Sequence, residues 1–259
     1  MCYRCFWPQR LCWCASLQPM ATRTRFVFLM HPKEFKEEKA GTGRLTHLCL
    51  PNSELHMGVG FDRDESVQRL LEDSGHLPML LYPGRNALNL SIAGTGATDA
   101  AVAATGTEPP APWEAVENLR SAMAHRKLVI FLLDATWSGA RKMLRLSPSL
   151  QRLPRLMFTP SAPSRYIIKQ QPQVGCLSTL EAVHELLLVL ERTGLDSYPQ
   201  PTQLLGLFQR LQDFQISCAA DPSRAGYRRK PYGTPGQRSG PRGASGNRRM
   251  RFLRGPAPG

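Results

Sequence analysis

The chain has 259 residues with 33 basic and 20 acidic side chains, a formal net charge of +13 and a sequence pI near 9.9. Apolar residues make up 42% of the chain, enough to bury a core, which excludes wholesale disorder and a collagen-like fibre. The longest apolar run, Leu128–Leu133, has six residues and is far too short for a membrane helix. Arginines and cysteines interrupt residues 1–20, so a secretory signal is not expected. These features predict a soluble cytoplasmic protein with no membrane partner.

The positive charge is concentrated at the end of the chain. Residues 222–259 contain ten basic and no acidic side chains, whereas residues 1–221 contain 23 basic and 20 acidic ones. The same tail has eight glycines, six prolines and three aromatic residues, so it cannot bury enough apolar surface to offset its ordering entropy. We predict a disordered Arg/Gly-rich tail that contacts RNA phosphates without sequence preference, with a plain solubility tail as the alternative.

Between residues 21 and 221 the apolar pattern alternates between strands and helices. Predicted strands cover Arg25–Met30, Met79–Tyr82, Leu128–Leu133 and Arg155–Thr159, and predicted helices cover Trp113–Arg126, a segment starting near Trp137, Ser178–Arg192 and Gln203–Cys218. Residues 91–112, rich in Ala, Thr, Gly and Pro, predict a flexible insertion. This order predicts an α/β fold, a mostly parallel sheet with helices on both faces. The domains are then a cysteine knuckle (1–20), the α/β body (21–221) and the tail (222–259).

Four of the seven cysteines fall within the first fourteen residues, as Cys2, Cys5, Cys12 and Cys14. Four thiolates on two short knuckles can close a tetrahedron around zinc, and so short a segment has no core of its own. Unligated or redox-active thiols and disulfides are the alternatives. The nearby Trp7, Trp13, Arg4 and Arg10 suit either nucleic-acid contact or packing. Cys49, Cys176 and Cys218 lie in apolar surroundings typical of core residues.

Asp134-Ala135-Thr136-Trp137, which we call the sheet-edge corner, directly follows the strongest predicted strand. The carboxyl edge of a parallel sheet is where open α/β folds bind ligands. Trp137, Arg141 and Arg145 recur at four-residue spacing on one helix face, so an acid, an aromatic ring and two guanidiniums converge there. They could deprotonate, stack on and hold a nucleotide. Equally, Asp134 could only cap the helix and Trp137 could be core.

The order of these motifs resembles the DTW-domain family, the tRNA-uridine aminocarboxypropyltransferases. The resemblance runs over residues 2–195, and one departure is the glycine-rich loop Gly41-Thr42-Gly43-Arg44, where the family has an Asn-Thr-Ala-Arg type. The matching pieces are the Cys2/Cys5/Cys12/Cys14 knuckle, His31-Pro32-Lys33-Glu34, Thr42, Arg44-Leu45, Leu81-Tyr82-Pro83-Gly84, Asp134-Ala135-Thr136-Trp137-Ser138, Ala140-Arg141-Lys142, Ser164-Arg165-Tyr166, Gln171-Pro172 and Leu177-Ser178-Thr179-Leu180-Glu181-Ala182.

The resemblance implies a knotted, SPOUT-like fold that uses S-adenosylmethionine. It implies transfer of the donor's 3-amino-3-carboxypropyl group to N3 of a tRNA uridine, with release of methylthioadenosine. SPOUT-like folds often form dimers, so a homodimer is a candidate assembly. A SPOUT-type RNA methyltransferase and a non-catalytic zinc-knuckle RNA-binding protein are the competing functions.

Carried onto this sequence, the chemistry assigns three groups of residues. Asp134 is the candidate base or electrostatic clamp, together with Thr136 and with Trp137 for stacking. The start of the helix after Ser178 suits the donor's carboxylate. Donor-binding candidates are Pro83, Gly84, Gly175, Leu177, Ser178 and Thr179, and RNA-binding candidates are Arg141, Lys142, Arg165, Tyr166 and Lys169.

Overall fold

A computed structural model describes residues 2–5, 9, 12–37, 41–91, 112–168 and 176–221. The predicted tail 222–259, nearly all of the predicted insertion and the candidates Lys169 and Gly175 therefore lie outside the described residues. The strands are β1 (Arg25–Met30), β2 (Ser53–Met57), β3 (His76–Leu81), β4 (Leu88–Asn89), β5 (Lys127–Asp134) and β6 (Arg155–Met157). The helices are α1 (Pro32–Glu37), α2 (Thr42–Cys49), α3 (Glu65–Glu72), α4 (Pro112–Met123), α5 (Trp137–Arg145), α6 (Pro148–Gln151), α7 (Thr179–Arg192) and α8 (Thr202–Ala220).

The six strands form one sheet in the order β2-β1-β5-β3-β6-β4, and every pair is parallel. β5 lies inside the sheet between β1 and β3, which explains its uninterrupted apolar sequence, because a strand covered on both faces has no solvent side. The register pairs Met30 of β1 with Asp134 of β5, so these two strands end together. The backbone N–H of His31 then donates to the Asp134 carbonyl at 3.0 Å, which extends the pairing by one residue.

Helices cover both faces of the sheet, as predicted. Side chains alternate along a strand, so Phe26 and Phe28 of β1 join a core with α2, α4, α7 and α8, whereas Val27 and Leu29 join a core with α3, α5 and α6. The same alternation divides β5, whose Ile130 enters the first core. The α/β class and the parallel sheet are thus confirmed.

The structure also adds elements that the pattern did not predict. β2 and β4 lie in segments with weak apolar periodicity, whereas α3 has a local signal, Val67 and Leu70 at helical spacing after an Asp64 N-cap, that the predicted elements leave out. The segment predicted as the loop Gly41-Thr42-Gly43-Arg44 is instead the start of helix α2. That prediction was wrong because two glycines disfavour a helix locally, whereas burial of Leu45 and Cys49 against the sheet and α7 stabilises it. Cys49, Cys176 and Cys218 are buried, as predicted.

None of the described helices has the length and apolarity that crossing a bilayer requires. The knot implied by the SPOUT-like resemblance stays a prediction. Threading depends on the path of the whole backbone, and residues 92–111 and 169–175 lie outside the described part of the chain.

Candidate functional site

Asp134 is the last residue of β5, and its side chain is buried at the carboxyl edge of the sheet. It does not cap the following helix: the N-cap of α5 is Thr136, whose Oγ1 accepts the Gly139 N–H at 3.2 Å. The Asp134 carboxylate instead accepts a hydrogen bond from Thr179 Oγ1 at 2.5 Å, at the start of α7. Thr136 therefore caps the helix, and the Asp134 carboxylate is available for contacts within the site.

Gly43, in the first turn of α2, packs directly against the Asp134 carboxylate. A Cβ on Gly43 would lie 2.2 Å from Asp134 Oδ2 and 2.5 Å from Cγ, closer than any side chain tolerates. In this chain the glycine therefore allows a close approach between a helix and a carboxylate. The alanine of the Asn-Thr-Ala-Arg type would require the carboxylate or the helix to move at this point.

Arg44 contacts the cysteine knuckle and interacts electrostatically with this carboxylate. Its guanidinium is buried, donates from Nη1 to the Cys5 carbonyl at 3.4 Å and from Nη2 to the Phe35 carbonyl, and lies 4.4 Å from the Phe35 ring centroid. Burial lowers the pKa of Arg44, while the charges of Asp134 and Cys5 act to raise it. The sequence named Arg44 only within the family resemblance, and its link to both sites depends on the tertiary fold.

A largely apolar cleft opens beside the corner. Trp137 lies at its edge with 37% of its surface exposed, and its ring centroid is 6.4 Å from that of Tyr82. The two rings and the open space between the strand ends suit a planar base or a nucleoside. The cleft is lined by Leu81, Tyr82, Pro83, Leu132, Leu133, Ala135, Trp137, Ala140, Leu156, Met157, Phe158, Pro160, Leu177, Thr179 and Ala182.

Of the donor-binding candidates, Pro83, Leu177 and Thr179 line this cleft, while Gly84 and Ser178 lie beside it in other roles. A Cβ on Gly84 would lie 2.9 Å from Arg155 Nη1, so this glycine leaves room for an arginine. Ser178 is the N-cap of α7 and forms the predicted capping box with Glu181, in which each side chain bonds the other's backbone.

The buried Glu181 carboxylate also holds the segment that carries two RNA-binding candidates. It accepts the Ser164 hydroxyl at 2.8 Å and the Arg165 N–H at 2.6 Å, which fixes residues 164–166 against the start of α7. Arg165 is exposed, whereas the half-buried Tyr166 ring packs edge-on against Phe208 with centroids 5.0 Å apart. Arg141 and Lys142 are exposed on α5.

The four knuckle cysteines come together as the sequence predicts. Their Sγ atoms all lie within 4.8 Å of one another, with Cys2–Cys14 at 3.8 Å and Cys5–Cys12 at 3.7 Å. A regular tetrahedron with Zn–S bonds of about 2.3 Å has S···S edges of about 3.8 Å, so this four-thiol cluster fits zinc. Hydrogen bonds from the backbone of Cys5 and Arg4 lower the pKa of the Cys2 thiol to about 6, whereas burial raises the pKa of the Cys14 thiol.

The knuckle is packed against the end of the α/β body. Trp13 meets Phe214 of α8 edge-on with ring centroids 5.8 Å apart, and the Arg210 guanidinium lies 5.6 Å from the Trp13 ring. Trp13 therefore packs rather than facing solvent freely, which favours the packing alternative for this residue. Trp7 and Arg10 lie outside the described residues.

Fold and site together define a class of protein, an all-parallel α/β protein with a buried carboxylate and an exposed tryptophan at the carboxyl edge of its sheet. A buried arginine lies between that carboxylate and a four-thiol cluster. Within that class the chain belongs to the DTW domain family, whose model matches residues 1–216.

Three curated relatives share one name. The chain is 30% identical over 229 residues to tRNA-uridine aminocarboxypropyltransferase 2 of Mus musculus, across 85% of this chain and 67% of that protein. It is 28% identical to the protein of that name in Macaca fascicularis, across 85% of this chain and 64% of that protein. It is 30% identical to the Drosophila melanogaster protein, across 73% of this chain and 66% of that protein. The chain thus spans about two thirds of the length of these relatives. No solved structure is significantly similar to it.

Proposed function

We propose that this chain is a tRNA-uridine aminocarboxypropyltransferase that uses S-adenosylmethionine as donor and modifies N3 of a tRNA uridine. The supporting observation is that a member of the DTW domain family, similar to enzymes of that name, has Trp137 at the rim of an apolar cleft and the buried Asp134 carboxylate directly behind it, hydrogen-bonded to the cleft residue Thr179. In this reaction the uridine N3 forms a bond to the γ-carbon of the donor and the carbon–sulfur bond breaks. The sulfur keeps the electron pair, so methylthioadenosine leaves as a neutral thioether, and the N3 proton must be removed.

Asp134 is the proposed acceptor of that proton. The Thr179 hydroxyl and the nearby positive charge of Arg44 both stabilise its ionised form, and its contact with Gly43 fixes its position. A buried anion at this point serves catalysis as a base, and it also attracts a cationic sulfonium or ammonium group. Base and clamp differ in one measurable respect: only a clamp contributes strongly to donor affinity.

The cleft residues position the two substrates in this proposal. Trp137, at the rim and close to Tyr82, stacks on the uracil or the adenine. Pro83, Gly84, Gly175 and Leu177 are the proposed binding residues for the body of the donor, and the start of α7 at Ser178 and Thr179 attracts its carboxylate. Thr136 contributes by holding α5, and thus Trp137, at a fixed angle to the strand.

The remaining parts of the chain have supporting roles. We propose that the four-thiol cluster holds a structural zinc ion and that Arg141, Lys142, Arg165, Tyr166 and Lys169 contact tRNA, assisted by the basic tail 222–259. The knotted SPOUT-like topology, a homodimer, the three-part domain organisation and a cytoplasmic location belong to the same proposal.

The product of the reaction tests this function directly. The full chain is incubated with S-adenosylmethionine and unmodified bulk tRNA, and the small molecules and nucleosides are analysed by mass spectrometry. Methylthioadenosine together with an aminocarboxypropyl-modified uridine is the expected result. S-adenosylhomocysteine with a methylated nucleoside would show an RNA methyltransferase instead. Binding of tRNA without either product would leave the non-catalytic RNA-binding protein and overturn the proposal.

A further inference from the structure

A second cavity opens next to the cleft, and three arginines line it. Arg85, Arg152 and Arg155 share this lining with Asn86, Gln151, Leu153 and Pro154, and no described acidic residue takes part. Arg85 and Arg152 are exposed and Arg155 is half-buried. None of the ion pairs formed between described residues includes any of these three arginines. Three positive charges thus converge on one concave surface, which we call the arginine cavity.

The parallel sheet brings these arginines together from two distant parts of the chain. Arg85 lies in the turn after β3, whereas Arg152 follows α6 and Arg155 begins β6. β3 and β6 are neighbours, with Leu80 paired to Arg155, so both segments meet at the carboxyl end of β3. Like charges placed together in this way repel one another, and an anionic ligand removes that cost.

The arginine cavity is adjacent to the cleft, and the two are separated by the Tyr82 side chain. The Arg155 guanidinium lies 5.6 Å from the ring centroid of Tyr82, and Tyr82 lines the cleft close to Trp137. Gly84 keeps this arrangement open, because a Cβ there would lie 2.9 Å from Arg155 Nη1. A base stacked on the exposed Trp137 ring next to Tyr82 would therefore have the arginine cavity within reach of its strand's phosphates.

We infer that the arginine cavity binds backbone phosphates of the RNA strand whose base enters the cleft. Guanidinium groups match phosphate oxygens with paired hydrogen bonds, and three of them suit a polyanionic strand better than the single carboxylate of a small donor. The inference rests on the proposed function, in which the substrate is tRNA. Because phosphate contacts carry no sequence information, the cavity positions the strand and does not choose the uridine.

The test measures tRNA binding by the full chain across a series of KCl concentrations. Arg85→Gln, Arg152→Gln and Arg155→Gln are each compared with Arg126→Gln, which removes an exposed arginine directly before β5, at the opposite edge of the sheet. Each lost phosphate contact should reduce the slope of log affinity against log salt by about 0.9, and the triple variant by roughly 2 to 3. The tail 222–259 is present in every variant and adds the same constant contribution.

Binding of S-adenosylmethionine alone is measured on the same variants and should not change. Salt slopes equal to that of Arg126→Gln would overturn the inference, as would a selective loss of donor binding, which would assign the arginines to the donor's carboxylate. These readouts are independent of product formation. Methylthioadenosine production with unchanged slopes rejects only the arginine cavity, whereas reduced slopes without any product reject only the proposed reaction.

Discussion

The thiols of the four-thiol cluster come from residues 2–14, whereas Asp134 of β5 meets partners on α2 and α7, which are far away in the chain. In the first region, spacing along the sequence already places the four thiols together, and the proposed zinc ion would supply the stability that a core cannot. In the second, the sheet and its helices must form before the carboxylate meets its partners. Arg44 interacts with both, so a local four-thiol cluster and a non-local carboxylate share one buried guanidinium.

The largest effect on the modification rate is expected when Asp134 loses its negative charge. Asp134→Asn keeps the shape of the side chain but removes the anion, and the rate of tRNA modification should fall by about 10²- to 10⁴-fold. Donor affinity, measured in parallel, separates the two roles: it stays unchanged for a base and falls for a clamp.

The matched control is Asp213→Asn, which removes an exposed carboxylate on α8 and should leave the rate unaffected. Modification by Asp134→Asn at the parental rate would remove Asp134 from the catalytic machinery.

Loss of a thiol from the four-thiol cluster should also lower the modification rate, because Arg44 contacts the cluster and acts on Asp134. Cys5→Ser removes one thiol and disturbs the carbonyl that accepts from Arg44, so bound zinc should fall from about one equivalent per chain. The modification rate should also fall, by about ten- to a hundredfold, because Arg44 loses an anchor. Metal content is measured by elemental analysis on protein purified without chelators.

Cys218→Ser provides the comparison, since Cys218 is buried in α8 outside the cluster and its loss should leave the metal bound. Full zinc occupancy in Cys5→Ser would contradict the four-thiol site.

The close approach of α2 to Asp134 predicts a steric effect. Gly43→Ala would place a Cβ 2.2 Å from Asp134 Oδ2, so the carboxylate or the helix must move. We expect a loss of about 1–3 kcal/mol in the free energy of unfolding, measured in urea, and a modification rate about tenfold lower.

Gly206→Ala is the opposite case. Nothing lies within 4 Å of a Cβ at this position in α8, so alanine should stabilise the helix by about 0.5–1 kcal/mol and leave the rate unchanged. If both variants behaved alike, the contact between Gly43 and Asp134 would have no energetic importance.

The smallest effect is expected for a substitution of Arg44, which lies between the four-thiol cluster and Asp134. Arg44→Lys keeps the charge but cannot reach both the Cys5 and the Phe35 carbonyls in the same fork, so each region should weaken only modestly. We expect a three- to tenfold lower rate and a modest loss of zinc affinity, measured by competition with a chromophoric chelator, because the Arg44 guanidinium holds the Cys5 backbone and also acts on Asp134.

Arg63→Lys, at an exposed arginine, serves as the control for the same exchange. A lower rate at unchanged zinc affinity would show that Arg44 acts on the corner alone.

Much of this arrangement could be predicted from the sequence. The run Leu128–Leu133 predicted the central strand, the Ser178 and Glu181 pair predicted the start of α7, and the cysteine spacing predicted the cluster. Each of these signals is local, because an apolar run, a capping box and a short ligand spacing operate over a few residues. The position of Asp134 at the sheet edge followed from the strand in the same way.

What remained open depended on contacts between distant segments. The packing of α2, β5 and α7 decided three features. Asp134 does not cap α5, Gly43 lies against the Asp134 carboxylate, and Arg44 lies between the four-thiol cluster and Asp134. The arginine cavity is of the same kind, because Arg85 and Arg155 are neighbours only across the pairing of β3 with β6. Sequence determined the elements and their order, since those depend on local propensity and apolar periodicity. The tertiary structure decided which charges meet, because a parallel sheet brings together strand ends that lie far apart along the chain.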